Sequence, residues 1–119
     1  MHRLDVEAAL GHPHALTGEQ ALDAATYTCR YFLPAMRRVT GRDPGQVNLR
    51  LLADDEEHAT ATIDSDSTVS VTVEGPPVQV VLALWGRPHS GVNVVAGAAH
   101  VWTDWRALPS EAFQFGTWD

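Results

Sequence analysis

The chain has 119 residues, 45% of them hydrophobic, which is enough for one domain with a core and too few for two ordinary domains. Its eight basic residues, all Arg, face 15 acidic ones, and the net charge of −7 argues against nucleic-acid or anionic-membrane binding. A single Cys excludes a disulfide framework and a cysteine-based zinc cluster. With no signal-peptide core and no run of ~18 apolar residues, the expected location is the cytoplasm.

Residues 1–14 are predicted to be the remnant of a junction helix and a linker, and residues 15–119 a single α+β domain. Gly11 and Pro13 break any helix that begins at Met1. His12 and His14 would share a face of an extended chain, but the linker context favours solvated histidines over a metal site.

The first helix of the domain is predicted from a capping box, in which Thr17 caps and Gln20 reaches back. Apolar residues then follow at helical spacing as far as Met36. Pro34 interrupts this pattern, so a kink or a restart is expected near Tyr31–Leu33. Cys29 falls on the apolar face, where a packing role is expected.

Three strands are predicted next, at Gln46–Ala53, His58–Asp64 and Thr68–Glu74. Each alternates apolar and polar residues, which indicates an antiparallel meander covered on one face only. The acidic run Asp54–Glu57 lacks the spacing of a calcium loop and is interpreted as a solvated turn.

A second, almost wholly apolar helix begins at Pro76 or Pro77 and ends at Gly86. It is followed by a short strand at Val92–Val95, a helix at about Ala98–Leu108 and a weakly structured tail at Pro109–Asp119. The predicted fold is therefore α+β, an antiparallel sheet of about four to five strands with helices packed on one face.

Arg87 ends the apolar helix, between a Gly and a Pro. One interpretation is simple dipole complementarity, worth ~0.3–1 kcal/mol. The other is a guanidinium held at the edge of a cleft to bind a carboxylate with two hydrogen bonds. The residue types alone favour the first slightly, and His89 in the next loop is interpreted as a surface residue.

Four segments together resemble the C-terminal half of the mycothiol-dependent maleylpyruvate isomerase family, a group of actinobacterial proteins. They are His2–Glu7 (HRLDVE), Thr68–Gly75 (TVSVTVEG), Val80–Arg87 (VVLALWGR) and Gly91–Trp105 (GVNVVAGAAHVWTDW). The most specific feature is the order strand, glycine, apolar helix, Gly-Arg. The resemblance implies a sterol-carrier-protein-like fold and, in complete members, an N-terminal DinB-like bundle that holds a divalent metal, with zinc expected.

The resemblance also implies site residues. His2 matches a metal ligand that works only with the N-terminal bundle, and Asp5 and Arg87 match residues of the catalytic site. The implied chemistry is addition of the mycothiol thiolate to a substrate double bond, which leads to cis–trans isomerisation or thiol transfer. Two departures stand out, because the 119 residues contain no such bundle and Ala98 stands where an acid usually follows Gly97.

The leading hypothesis is therefore an accessory, substrate-side domain that is inactive alone and carries no cofactor by itself. One alternative is a non-catalytic sterol-carrier-like module that binds a small apolar or acidic ligand in a pocket lined by Val81, Trp85 and Trp102. Another is an interaction domain that docks a helical-bundle partner through Trp102 and Trp105. Whether the chain is an excised domain or a short gene product stays open.

Overall fold

A computed structural model describes residues 18–54 and 56–115, with side chains as far as Ser110. Its elements are α1 Gly18–Tyr27, a π-helical segment Thr28–Phe32, α2 Leu33–Thr40, β1 Gln46–Ala53, β2 Glu56–Ile63, β3 Ser70–Gly75, α3 Pro77–Leu84, β4 Asn93–Gly97 and α4 Ala99–Phe115. The predicted α+β class is confirmed. Thr17, His2, Asp5, His12 and His14 lie outside the described residues.

The four strands form one mixed sheet in the order β2-β1-β3-β4. β1 pairs antiparallel with β2, with Val47 opposite Ile63, but parallel with β3, with Val47 opposite Val71. β4 returns antiparallel along β3. The prediction of a purely antiparallel meander is therefore wrong, because the third strand lies on the far side of β1.

The connection from β2 to β3 explains this topology. After Ile63 the chain passes around the N-terminal end of β1, where the Gln46 amide donates to the Val69 carbonyl at 2.9 Å. The Asp43 carboxylate holds the crossing segment, since it accepts from the Ser65 hydroxyl at 2.6 Å and from the Asp66 amide at 3.0 Å. A strand with a period of two has the same inward face on either side of β1, so alternation alone does not decide its neighbour.

The helices within the described residues pack on one face of the sheet, as predicted. The strands bury Val47, Leu49, Leu51, Val71 and Val73 against a cluster that includes Leu33, Met36, Val80, Val81 and Trp105. The opposite face is polar, and Arg50 pairs there with Glu57 at 2.9 Å and Glu74 at 3.2 Å. These exposed pairs add little stability, so the one-sided core holds the fold together.

The first helical stretch changes its winding before Pro34. The Leu33 amide donates to the carbonyl of Thr28, five residues back, which is the hydrogen bond of a π turn. α2 then starts with Pro34 in its first turn, where the missing amide hydrogen costs no helical bond. The predicted restart near Tyr31–Leu33 is confirmed.

The last helix runs further than predicted. α4 continues through Pro109 to Phe115, so the expectation of a weakly structured tail is wrong for Pro109–Phe115, and the rest of the predicted tail lies outside the described residues. An internal proline costs on the order of 3 kcal/mol, but Leu108 and Pro109 are both buried, and this burial offsets the cost. No helix in residues 18–54 and 56–115 is long and apolar enough to cross a bilayer.

Candidate functional site

Trp85 stands at the C-terminal end of α3 and is held by the π-helical segment. Its indole Nε1 donates to the Thr28 hydroxyl at 2.9 Å, and its ring stacks on Phe32 with centroids 3.8 Å apart and planes 9° from parallel. Because a π turn closes on bonds five residues apart, Thr28 and Phe32 lie nearly one turn apart on the same face. The indole is thus fixed by both its edge and its plane.

Thr28 is fully buried and uses its hydroxyl in both directions. The hydroxyl donates to the Ala24 carbonyl at 2.7 Å while it accepts from Trp85. Hydrogen bonds to both its donor and its acceptor offset the cost of removing this hydroxyl from water. The position of Trp85 is therefore set by a specific polar contact in addition to apolar packing.

The chain leaves α3 through a Schellman motif. Gly86 adopts a left-handed conformation with φ of 73°, and its amide donates to the Ala83 carbonyl at 3.0 Å. The next amide, of Arg87, donates to the Leu82 carbonyl at 2.8 Å. These are the two backbone bonds of the motif, and they satisfy carbonyls that an arginine side chain would otherwise cap.

Arg87 is consequently turned out of the helix end. Its side chain is exposed, and it makes no hydrogen bond or ion pair with the part of the chain that the structure describes. Its carbonyl lies 3.0 Å from the Nδ1 of His89, which is half-buried. The structure thus places the predicted residue at the surface with a free guanidinium.

A cleft of about 470 Å³ lies between the end of α3 and one side of α4, and we call it the α3–α4 cleft. Its lining consists of Trp85, Gly86, Thr103, Arg106, Ala107, Pro109 and Ser110. Arg106 is half-buried, with its guanidinium carbon 5.9 Å from the centre of the Trp102 ring. Its Nε is buried and has no hydrogen-bond partner among the described residues.

The sequence-predicted ligand residues are not brought together. Trp85 lines the α3–α4 cleft, whereas Val81 and Trp102 are 0% and 5% exposed and belong to the core. Arg87 follows Gly86 directly but is not part of the cleft lining. Sequence reasoning missed Arg106, although one signal was available: it follows Trp102 by one helical turn, at a position that helical periodicity places beside the core.

Cys29 lies at a second cleft, of about 490 Å³, with Arg30 and Arg37. Burial raises the pKa of its thiol to about 12, so the thiolate needed for nucleophilic chemistry is absent at neutral pH. Arg37 is already engaged, with the Asp64 carbonyl at 3.4 Å and the Asp43 carboxylate at 3.6 Å. Cys29 therefore has the packing role expected from the sequence.

The described residues do not fit a metal ion. No group of three or more His, Cys, Asp or Glu side chains within them is close enough to hold one. The acidic run predicted as a turn, Asp54–Glu57, is a turn at Asp54, with φ of 53°, but Glu56 and Glu57 already belong to β2.

Gly97 stands at the end of β4, which runs from Asn93 to Gly97 instead of the predicted Val92–Val95. Its φ is 84°, and an added Cβ would collide with the backbone of Ser70 and Val71. The amide of Ala98 then donates to the Ser70 carbonyl at 2.9 Å. The glycine is required by the close approach of β3 and β4, whatever residue follows it.

These features define a small α+β domain whose most buried helix is followed by an arginine, Arg87, without a partner among the described residues and next to an open cleft. A family model described as the MDMPI C-terminal domain matches residues 19–110, and the chain belongs to this family, the C-terminal domain of the maleylpyruvate isomerase family. The resemblance found in the sequence is thereby confirmed. No curated protein and no solved structure matches the chain significantly.

Proposed function

We propose that this domain is the substrate-side half of an isomerase or thiol-transferase site and that Arg87 binds the carboxylate of the substrate. The observation that carries this proposal is the exposed guanidinium of Arg87, which has no partner among the described residues, at the end of the buried helix in a member of this family. A planar guanidinium binds a carboxylate through two parallel hydrogen bonds, which fixes orientation as well as charge.

A purely structural role for Arg87 has less support. The Schellman motif already satisfies the carbonyls of Leu82 and Ala83, so the side chain is not needed as a cap. An exposed cation near a helix end contributes only ~0.3–1 kcal/mol. Replacement of Arg87 should therefore affect ligand binding far more than the free energy of unfolding.

The domain is proposed to be inactive alone, in the cytoplasm, and to act with a helical-bundle partner domain. Mycothiol and a divalent metal, zinc in the first instance, would be bound with donors from that partner together with His2, the ligand that the family resemblance implies. The residues of this chain would orient the substrate and exclude water on one side of it.

The test is a comparison of the chain alone with the chain fused to the helical bundle of a family member. The chain alone, with zinc and mycothiol, should not isomerise maleylpyruvate. The fusion should be active, and Arg87→Ala should raise its KM by at least about tenfold. Arg38→Ala, at an exposed arginine of α2, is the matched control and should leave KM unchanged. Activity of the isolated chain, or equal KM values for both variants, would overturn the proposal.

The alternative of an interaction domain docking through tryptophans gains no support from the geometry. Trp102 is 5% exposed and Trp105 is fully buried, with its Nε1 donating to the Gly45 carbonyl at 2.7 Å. Neither indole offers surface to a partner. The ligand-binding alternative is reduced to Trp85, the one member of the predicted pocket that lines a cleft.

A further inference from the structure

We infer that the α3–α4 cleft binds a small organic monocarboxylate and that Arg106 anchors it. The starting observation is the buried Nε of Arg106, which has no hydrogen-bond partner among the described residues. Charged donors taken out of water are normally paired, so an unpaired one at a cleft wall indicates a group that is missing.

The comparison with other arginines makes Arg106 distinctive. Arg37, also half-buried, donates to the Asp64 carbonyl and pairs with Asp43. Arg50 is more exposed and still has two acidic partners, Glu57 and Glu74. Among the described side chains, Arg106 has only the ring of Trp102, which stabilises its charge but accepts no hydrogen bond from Nε in the plane of the guanidinium.

The chemistry of the lining selects the ligand class. Thr103 and Ser110 add hydroxyls, which hydrogen-bond to a carboxylate oxygen, while Ala107 and Pro109 make the remaining wall apolar. A carboxylate matches the edge formed by Nε and one terminal nitrogen of Arg106. With one cation in the lining and a chain charge of −7, a monoanion is favoured over a dianion such as phosphate.

The rest of the cleft suits an apolar or aromatic body attached to that carboxylate. Trp85 forms part of the lining and is immobilised by Thr28 and Phe32, so it offers a fixed aromatic surface. The volume of about 470 Å³ lies within the range of small-molecule sites. Benzoate is therefore a suitable probe, and benzamide is its neutral counterpart.

This inference does not depend on the proposed function, because Arg87 is not in the cleft lining. The full chain is titrated separately with benzoate, benzamide and phenyl phosphate. Binding is measured from the changes in amide chemical shifts and in tryptophan fluorescence. Benzoate should saturate with shifts centred on Trp85, Thr103 and Arg106, and benzamide and phenyl phosphate should bind at least about tenfold more weakly.

Variants separate this site from Arg87. Arg106→Ala should weaken benzoate binding at least about tenfold, whereas Arg106→Lys, which keeps the charge but lacks Nε, should recover only part of it. Arg87→Ala should weaken benzoate binding less than Arg106→Ala does, and Arg38→Ala, at an exposed arginine of α2, should bind benzoate like the wild type. If Arg106→Ala fails to fold, the lysine variant and the benzoate–benzamide comparison still decide.

Two outcomes would overturn the inference. One is the absence of saturable benzoate binding, which would mean that the unpaired Nε of Arg106 does not mark a carboxylate site. The other is equal binding of benzoate and benzamide, which would make the cleft an apolar site without carboxylate recognition. A loss of benzoate binding in Arg87→Ala but not in Arg106→Ala would also contradict it, and would move the anion site to Arg87.

Discussion

The indole of Trp85 lies flat on the ring of Phe32, with centroids 3.8 Å apart and planes only 9° from parallel. Aromatic pairs generally prefer an offset or edge-to-face arrangement over such close face-to-face stacking. The Thr28 hydroxyl holds the indole in this geometry by accepting from its Nε1 at 2.9 Å. The π-helical segment thus fixes Trp85, which lines the α3–α4 cleft and directly precedes the turn that leads to Arg87.

Thr28→Val is expected to lower the free energy of unfolding by about 1–2 kcal/mol. Valine is nearly isosteric with threonine but has no hydroxyl, so the Nε1 of Trp85 loses its hydrogen-bond acceptor. Urea unfolding measures the change, and the emission of Trp85 should shift with it. The matched control is Thr26→Val, at an exposed position of α1, which should stay within ~0.5 kcal/mol of wild type.

A double-mutant cycle tests the same contact directly. In a Trp85→Phe background the donor is gone, so Thr28→Val should cost less than in the wild type. Equal costs in the two backgrounds would show that the hydroxyl matters only through its bond to the Ala24 carbonyl.

Gly97→Ala is expected to destabilise the domain by about 3 kcal/mol or more, since it combines a left-handed backbone with a collision against Ser70 and Val71. Gly41→Ala is the matched control. Gly41 has a similar φ of 71° but open space around it, so only the backbone cost of about 1 kcal/mol is expected. Thermal or urea unfolding of both variants measures the difference, and equal destabilisation would mean that β4 can move away from β3.

The sequence predicted most elements because their periodicities are local. The bounds of β1 agree residue for residue, and α3 was recognised from its apolar run between Pro77 and Gly86. Pro34 marked the restart between α1 and α2, but the π turn that aligns Thr28 with Phe32 leaves no mark in residue spacing. Helical periodicity and strand alternation therefore predicted the elements reliably, but they did not predict the π-helical winding of Thr28–Phe32.

What the sequence could not predict depends on neighbours distant along the chain. The segment that crosses from β2 to β3 and is held at Asp43 decides on which side of β1 the strand β3 pairs. The alternation of apolar and polar residues carries no information about that side. Arg106 looks like an ordinary charged residue of α4, and only packing shows that its Nε is buried without a partner. Arg87 was identifiable because its position depends on the local Gly-Arg-Pro sequence.

Asp43 should make the stability of the domain depend on acid pH. Burial pushes the pKa of its carboxyl up, but hydrogen bonds from Ser65, Asp66 and Gly45 and the charge of Arg37 outweigh this and lower the pKa below its ordinary 3.8. A depressed pKa in the folded state means that the carboxylate stabilises the fold above pH 3.8 and that this stabilisation is lost as the pH falls through the lower, folded-state value.

Asp43→Asn should therefore lose about 1 kcal/mol at pH 7 and show a smaller loss of stability between pH 5 and pH 3 than the wild type. Urea unfolding at these pH values measures both effects. Asp66→Asn is the control, because Asp66 takes part in the crossing through its backbone amide, which the substitution retains. A wild-type-like pH profile for Asp43→Asn would contradict the role of this carboxylate.

Cys29 should be unreactive in the folded protein. Its side chain is 4% exposed, and burial raises the pKa of the thiol to about 12, so both access and thiolate are lacking at pH 8. Labelling with a coloured disulfide reagent should be fast in urea-unfolded protein and, under native conditions, should be slower by a factor close to the folding equilibrium constant.

Because the folded-state pKa of Cys29 is raised, the protonated thiol stabilises the fold below the ordinary value of 9.0, and this contribution is lost as the pH rises from 9.0 towards 12. Cys29→Ala, which has no thiol to label or to titrate, is the control for both measurements. Rapid native labelling at pH 8 would show that the second cleft opens to Cys29 without unfolding, contrary to the packing role assigned to it.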